Sequence, residues 1–189
     1  MLGLNFILLI VLLLGAGLGD AFPSDTLKKT CSLSKYQFLV PRELKAVQKM
    51  QKQFEDDIMR LSDRKCRTLL FHRRRSPATA ELSVPDRLML VEAELDFAIT
   101  MLGLPAPSRF AETRQRPLDL LTHARDDLRD CMAIEAPSHQ PSRKLRHQLQ
   151  KLETARKTET TGCLEATAIL HLFQILNDLQ CAARGDQCT

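Results

Sequence analysis

Apolar residues recur along most of the chain at steps of three and four, the spacing that keeps side chains on one face of an α-helix. Pro41 opens the first such segment, at a position where its missing N–H is harmless. Leu44, Val47, Phe54, Ile58 and Leu61 follow on one face, while Lys45, Lys49, Lys52, Glu55 and Asp56 fall largely elsewhere. From Ser62 to Ala80 the pattern dissolves into a long basic loop with Arg73-Arg74-Arg75 and Ser76-Pro77. A second helix is predicted from about Val84-Pro85, with Leu88, Val91, Leu95, Ala98 and Leu102 in register. Gly103, Pro105 and Pro107 end it. Pro117 reads as the start of a third helix, with Leu118, Leu121, Ala124, Leu128 and Cys131 on its apolar side and Ala136 to Pro141 as its end. A strongly basic fourth helix carries Leu145, Leu149 and Leu152, backed by Arg143, Lys144, Arg146, Lys151, Arg156 and Lys157.

After Gly162 one continuous helix is expected, from Cys163 to about Ala183. Leu164, Ala168, Leu172, Ile175 and Leu179 form its core stripe, with Ile169 and Leu176 beside them. Phe173 sits at the edge of that arc and Leu170 beyond it. Either both are core, or they form an exposed apolar ridge of the kind that marks partner sites. No segment alternates at period two. Composition agrees: of 189 residues 44% are hydrophobic and 26% charged, with seven glycines, one tyrosine and no tryptophan. That is too apolar for a disordered chain and too poor in glycine and aromatics for a Rossmann, P-loop or all-β protein. The expected fold is all-α, a bundle of four long helices plus shorter ones.

Phe6 to Leu14 is an unbroken apolar run followed by small residues, too short to span a bilayer and suited to a signal peptide. A cut after Ala21 is expected, which leaves 22–189 as one soluble, secreted domain with no membrane insertion. All six cysteines follow that cut: Cys31, Cys66, Cys131, Cys163, Cys181 and Cys188. An even count in an oxidising compartment reads as three disulfides, drawn from fifteen connectivities. Cys181 and Cys188 are close enough in sequence to close a small loop. No CxxC motif or cysteine–histidine ligand spacing points to a metal, so none is expected, nor any cofactor.

The chain carries no HExxH, GxSxG or Gly-rich phosphate loop, and its five histidines are scattered over loops and different helices. Enzymatic activity is not expected, because no nucleophile or paired acid and base is in evidence. A secreted hydrolase would need a histidine and a carboxylate joined in a concave pocket. A helical lipid binder is the other alternative, though its usual cysteine spacing is absent. The net charge is +4, or +5 once Asp20 leaves with the signal segment. The basic loop and basic helix therefore suit either plain solvation or an anionic polysaccharide or lipid. Without interleaved aromatics, nucleic acid is not an expected partner. Arg184-Gly185-Asp186 lies between Cys181 and Cys188; it could address an integrin, or simply supply the turn that lets the loop close.

Several strings are more specific. Gly162-Cys163-Leu164-Glu165-Ala166 followed by Leu172-Phe173 and a late cysteine resembles the final helix of the type III interferons, the interferon lambda family. Leu90-Val91-Glu92-Ala93-Glu94-Leu95, Arg116-Pro117-Leu118 and Leu128-Arg129-Asp130-Cys131 match in order, as does Cys31 ten residues before Pro41-Arg42-Glu43-Leu44. The resemblance covers essentially the whole mature chain and points to a vertebrate other than a mammal. It implies a class II helical cytokine bundle of the interleukin-10 type, with bridges Cys31–Cys131, Cys66–Cys163 and Cys181–Cys188. It further implies an antiviral cytokine, acting as a monomer, that joins the interferon lambda receptor subunit 1 to the interleukin-10 receptor beta subunit and activates JAK-STAT signalling. By matching position, the lambda-specific receptor would contact Pro41, Lys49, Gln51, Lys52 and Glu55 on the first helix, and Leu170 and Phe173 on the last. The second receptor would meet the start of the first helix and the region around Asp119, Thr122 and Arg125. Leu170 stands where mammalian relatives often carry phenylalanine, and Gln51 where they carry a basic residue.

Overall fold

A computed structural model of the chain describes residues 31–59, 79, 81–106 and 108–188. Among these are six α-helices and no strand: α1 (Pro41–Met59), α2 (Val84–Leu102), α3 (Ser108–Glu135), α4 (Arg143–Thr158), α5 (Thr161–Leu170) and α6 (Leu172–Arg184). Short 3-10 turns lie at Ser34–Tyr36 and Gly185–Gln187. Three helix starts are fixed by hydroxyl caps: Ser83 Oγ accepts from the Asp86 N–H, Ser142 Oγ from Leu145, and Thr160 Oγ1 from Cys163. The expected signal peptide, the arginine triplet and most of the expected basic loop, Leu61 and Cys66 lie outside the described residues.

Helix α2 is the axle of the bundle. It packs against α3, α4, α5 and α6, while α1 packs against α3 and α5. The spacing predicts one apolar stripe on α2, and Leu88, Val91, Leu95, Ala98 and Leu102 are indeed buried. Leu90, Phe97 and Met101 are buried too, as are the charged Asp86, Arg87 and Glu94, so the helix is enclosed on nearly every side. On α1 the core residues are Val47, Met50 and Phe54, with Leu44 partly buried. Leu121, Ala124, Leu128 and Cys131 of α3 and the expected stripe of α5 and α6 complete the core.

Two helix boundaries differ from the reading of the sequence. Pro117 does not start α3 but sits in its interior, nine residues past Ser108. A proline there removes one backbone hydrogen bond and crowds the preceding turn, so other contacts must hold the first turns of α3 in place. They come from α1. Phe110 meets Phe54 with ring centroids 5.8 Å apart, Thr113 Oγ1 donates to Gln53 Oε1 (2.6 Å), and Arg116 grips Glu43 with two hydrogen bonds of 3.1 and 2.8 Å. The second difference is the C-terminal helix, which is not continuous. It breaks at His171 into α5 and α6.

Disulfides join Cys31 to Cys131 and Cys181 to Cys188. Cys163 is also disulfide-bonded. The first bridge spans 100 residues and ties the N-terminal segment to the end of α3; a loop of that size stabilises by about 4–5 kcal/mol in the chain-entropy picture. Beside it Tyr36 donates its hydroxyl to Asp127 and Lys35 pairs with the same carboxylate at 2.7 Å. At the other closure Gly185 adopts φ 58° and ψ −127°, a positive-φ conformation that favours glycine, and its carbonyl accepts from the Cys188 N–H at 3.2 Å. Buried Arg87 donates to the carbonyls of Thr79 (2.9 Å), Leu82 (3.1 Å) and Gly185. The positive φ thus accounts for the glycine at 185.

The α3–α4 connection is held by a buried acid. Asp86 Oδ1 lies 2.8 Å from His139 Nε2 and accepts from the Ser142 N–H at 3.2 Å. Burial pushes the Asp86 carboxyl up, but the hydrogen bonds from Ser142 and His139 outweigh it and hold the group below the ordinary carboxylate range. A carboxyl lowered in the folded state stabilises above its unfolded pKa, near 3.9, and that gain is lost as pH falls through the folded value. Asp86→Asn is therefore expected to lower stability at neutral pH by about 1.5–3 kcal/mol, the range for hydrogen bonds to a charged group. The variant's stability should also fall less steeply than the parent's between about pH 5 and pH 2. Urea unfolding at a series of pH values measures both effects.

Candidate functional site

The break between α5 and α6 creates the most distinctive surface. In an unbroken helix the carbonyls of Ile169 and Leu170 would accept from residues 173 and 174. Instead the Gln174 N–H turns to His171 O at 2.9 Å. The Gln51 side chain, reaching across from α1, donates its amide to Ile169 O at 2.7 Å, with Leu170 O at 3.4 Å. A side chain inserted into the helical ladder is a recognised cause of a kink. One residue of α1 thereby fixes the angle of the C-terminal helices, and the break leaves Leu170 46% exposed.

The residues singled out in the sequence do not all gather here. Gln51, Leu170 and Phe173 belong to the junction. Phe173 is half-buried and packs against the core. Glu55 and Lys52, both exposed, lie on α1 about 40° and 100° around the axis from Gln51, at about 100° per residue. Pro41 is exposed at the start of the same helix, about 15 Å along its axis. Lys49 is exposed but about 160° away, on the flank shared with Gln53 and α3. Sequence spacing could not reveal that Gln51 is tied to backbone carbonyls, since its partners lie more than a hundred positions away.

A second surface lies at the opposite flank of α1, where it meets α3. A groove of about 440 Å³ runs between Lys35, Leu39, Arg42, Glu43, Arg116 and Asp119. The segment along it presents Phe38 (79% exposed) and Val40 (58%), two large apolar side chains that the sequence reading did not single out. Among the three residues expected near this flank, Asp119 is exposed and lines the groove. Thr122 gives its hydroxyl to Leu118 O (2.8 Å), and Arg125 is held by Asp126 (2.9 Å) and Asp96 (3.7 Å).

His139 and Asp86 do form a histidine–carboxylate pair, at the edge of a cavity of about 250 Å³. Its other lining residues are Pro85, Met89, Met132, Ala133, Ala136 and Pro137, which supply neither hydroxyl nor thiol. The carboxylate also accepts from the Ser142 backbone, so the pair pins a loop. Among the described residues no group of three or more histidine, cysteine, aspartate or glutamate side chains could hold a metal. None of the described helices is long and apolar enough to cross a membrane.

A disulfide-braced helical bundle with apolar side chains displayed on two flanks has the build of a helical cytokine. The family model for Interleukin-28A matches residues 28–185. The chain is 65% identical to chicken (Gallus gallus) interferon lambda-3 over 176 residues, 93% of each chain. It is 33% identical to mouse interferon lambda-2 over 163 residues (85% of this chain, 83% of the relative) and 28% identical to human interferon lambda-1 over 190 (96% and 92%). The chain belongs to the interferon lambda family, the type III interferons, and its similarities place it with those of non-mammalian vertebrates. It is an antiviral cytokine that binds cytokine receptors, not an enzyme.

Replacing Gln51 isolates the junction. Gln51→Ala leaves two carbonyls without their side-chain donor and is expected to lower stability by about 1–2 kcal/mol. Gln51→Glu should lower it further, because a carboxylate would face those same carbonyls. Urea unfolding gives the order, and amide exchange at 171–174 should accelerate in both variants.

Proposed function

We propose that the mature chain, 22–189, is released by cleavage of the 1–21 signal peptide and acts outside the cell as a monomer. There it joins the interferon lambda receptor subunit 1 to the interleukin-10 receptor beta subunit and so activates JAK-STAT signalling and antiviral gene expression. The observation that carries this reading is the α1/α5–α6 junction, where Gln51 holds the helices so that Leu170 is exposed beside Glu55 and Lys52. This is the face for the lambda-specific receptor, with Pro41 and Phe173 at its margins, while Lys49, on the far side of α1, lies off it. The groove beside Phe38 and Val40, with Asp119 on its wall, is the face for the second receptor. Capture by the first receptor confines the cytokine to the membrane surface, which raises the effective concentration of the second.

Leu170 is the cleanest probe, because Phe173 also packs on the core and its truncation acts on stability as well as binding. Leu170→Ala should weaken binding to the lambda-specific ectodomain about tenfold or more, as for an interface anchor, while the thermal melt moves little. Phe173→Ala should weaken binding and lower the melting temperature together. The decisive assay is an antiviral reporter in cells with and without the lambda-specific receptor. Signalling that persists in cells without that receptor would overturn the reading.

A further inference from the structure

Helix α4 carries more positive charge than the fold uses. Its buried side is small: Leu145 and Ala155 are buried, Leu149 and Leu152 partly so, and it packs chiefly on α2. Arg156 turns inward, its guanidinium 5.6 Å from the Phe97 ring centroid and 3.3 Å from Asp96. The opposite arc, about 160° wide, holds Arg143, Lys144, Arg146, His147, Lys151 and Lys157 along about 21 Å of helix. All six are exposed. Lys144 pairs with Glu81 and Lys157 with Glu153, the one acid in the helix. Arg143, Arg146 and Lys151 make no ion pair among the described residues.

Stability does not explain this charge. Arg143, Lys144 and Arg146 stand in the first turns of α4, where the helix dipole already presents its positive end; the helix itself supplies no acid there, and of the three only Lys144 has an ion-pair partner among the described residues, Glu81. We propose that the outer face of α4 is a binding strip for a sulfated glycosaminoglycan, the linear polyanion of cell surfaces and matrix. Sulfate and carboxylate groups repeated along a chain suit a straight row of cations, and release of bound counterions supplies the affinity. An anionic membrane fits less well, because the apolar side of α4 is spent against α2 and only Gln150, Thr154 and Thr158 lie between the cations. A nucleic acid lacks aromatic partners for stacking on this face. The strip lies off both proposed receptor faces, so a retained molecule can still signal, and the inference stands independently of the receptor assignment.

The test is binding of the folded chain to immobilised heparin across a salt series. The parent should bind at about 0.15 M salt. Arg143→Gln/Arg146→Gln/Lys151→Gln should bind about tenfold more weakly, with a salt slope reduced by about 2 to 3, given roughly 0.7–0.9 per lost contact. A control that removes the same charge from α1, Lys45→Gln/Lys49→Gln/Lys52→Gln, should lose much less. Thr154→Lys, which adds a cation to the arc, should tighten binding, so the proposal does not hang on one variant's folding. Reporter activity of the α4 variant, applied in solution, should match the parent. Equal losses in the two triple variants, no retention at physiological salt, or stronger binding to duplex DNA or phosphatidylserine vesicles than to heparin would each overturn the proposal.

Discussion

Everything in this molecule is arranged around the enclosure of α2. Leu88, Leu90, Val91, Leu95, Phe97, Ala98, Met101 and Leu102 are all buried, so four other helices must pack on it at once. Fully burying a leucine, valine, methionine or phenylalanine side chain is worth about 1.5–3 kcal/mol, and the seven such residues, Ala98 aside, commit those helices to one arrangement. The same enclosure forces Asp86 and Arg87, at the start of α2, out of water, and each is compensated locally. Asp86 takes hydrogen bonds from His139 and Ser142, while Arg87 donates to the carbonyls of Thr79, Leu82 and Gly185. The buried charges thereby tie the α3–α4 loop and the C-terminal turn to the axle.

With the interior fixed, function falls to the outer surfaces of the helices packed around α2. Helix α1 matters twice. One flank holds α3 through Glu43, Gln53 and Phe54, which allows α3 to run through Pro117. The other reaches the C-terminal helices through Gln51. A single helix therefore sets the geometry of both candidate faces. Neither face is a reaction centre. Each combines exposed apolar side chains with charged neighbours, a composition suited to recognition rather than chemistry.

Helical periodicity made the all-α fold legible, because each apolar stripe is a local property of ten to twenty residues. Val47, Leu121, Leu145 and Leu179 are buried as their spacing requires. The two misplaced boundaries share a cause. Pro117 is tolerated inside α3, and the helix is interrupted at His171, because of side chains on α1 that are distant in sequence. No local signal at either position records those contacts. Met50 and Phe38 show the same limit in reverse. One is fully buried and the other largely exposed, and only the packing of α1 and its preceding segment decides which. The family-specific strings carried the functional reading, since composition alone went no further than a disulfide-bonded helical protein.

The central claim is that α1 and the interrupted C-terminal helix form one continuous face for the lambda-specific receptor. Hydrogen–deuterium exchange of the full chain, with and without that receptor's ectodomain, tests it most directly. Slower exchange in the complex at both 48–56 and 170–175, with 143–157 unchanged, is the predicted result. Protection confined to α4, or to the groove beside Phe38 with the junction untouched, would contradict it.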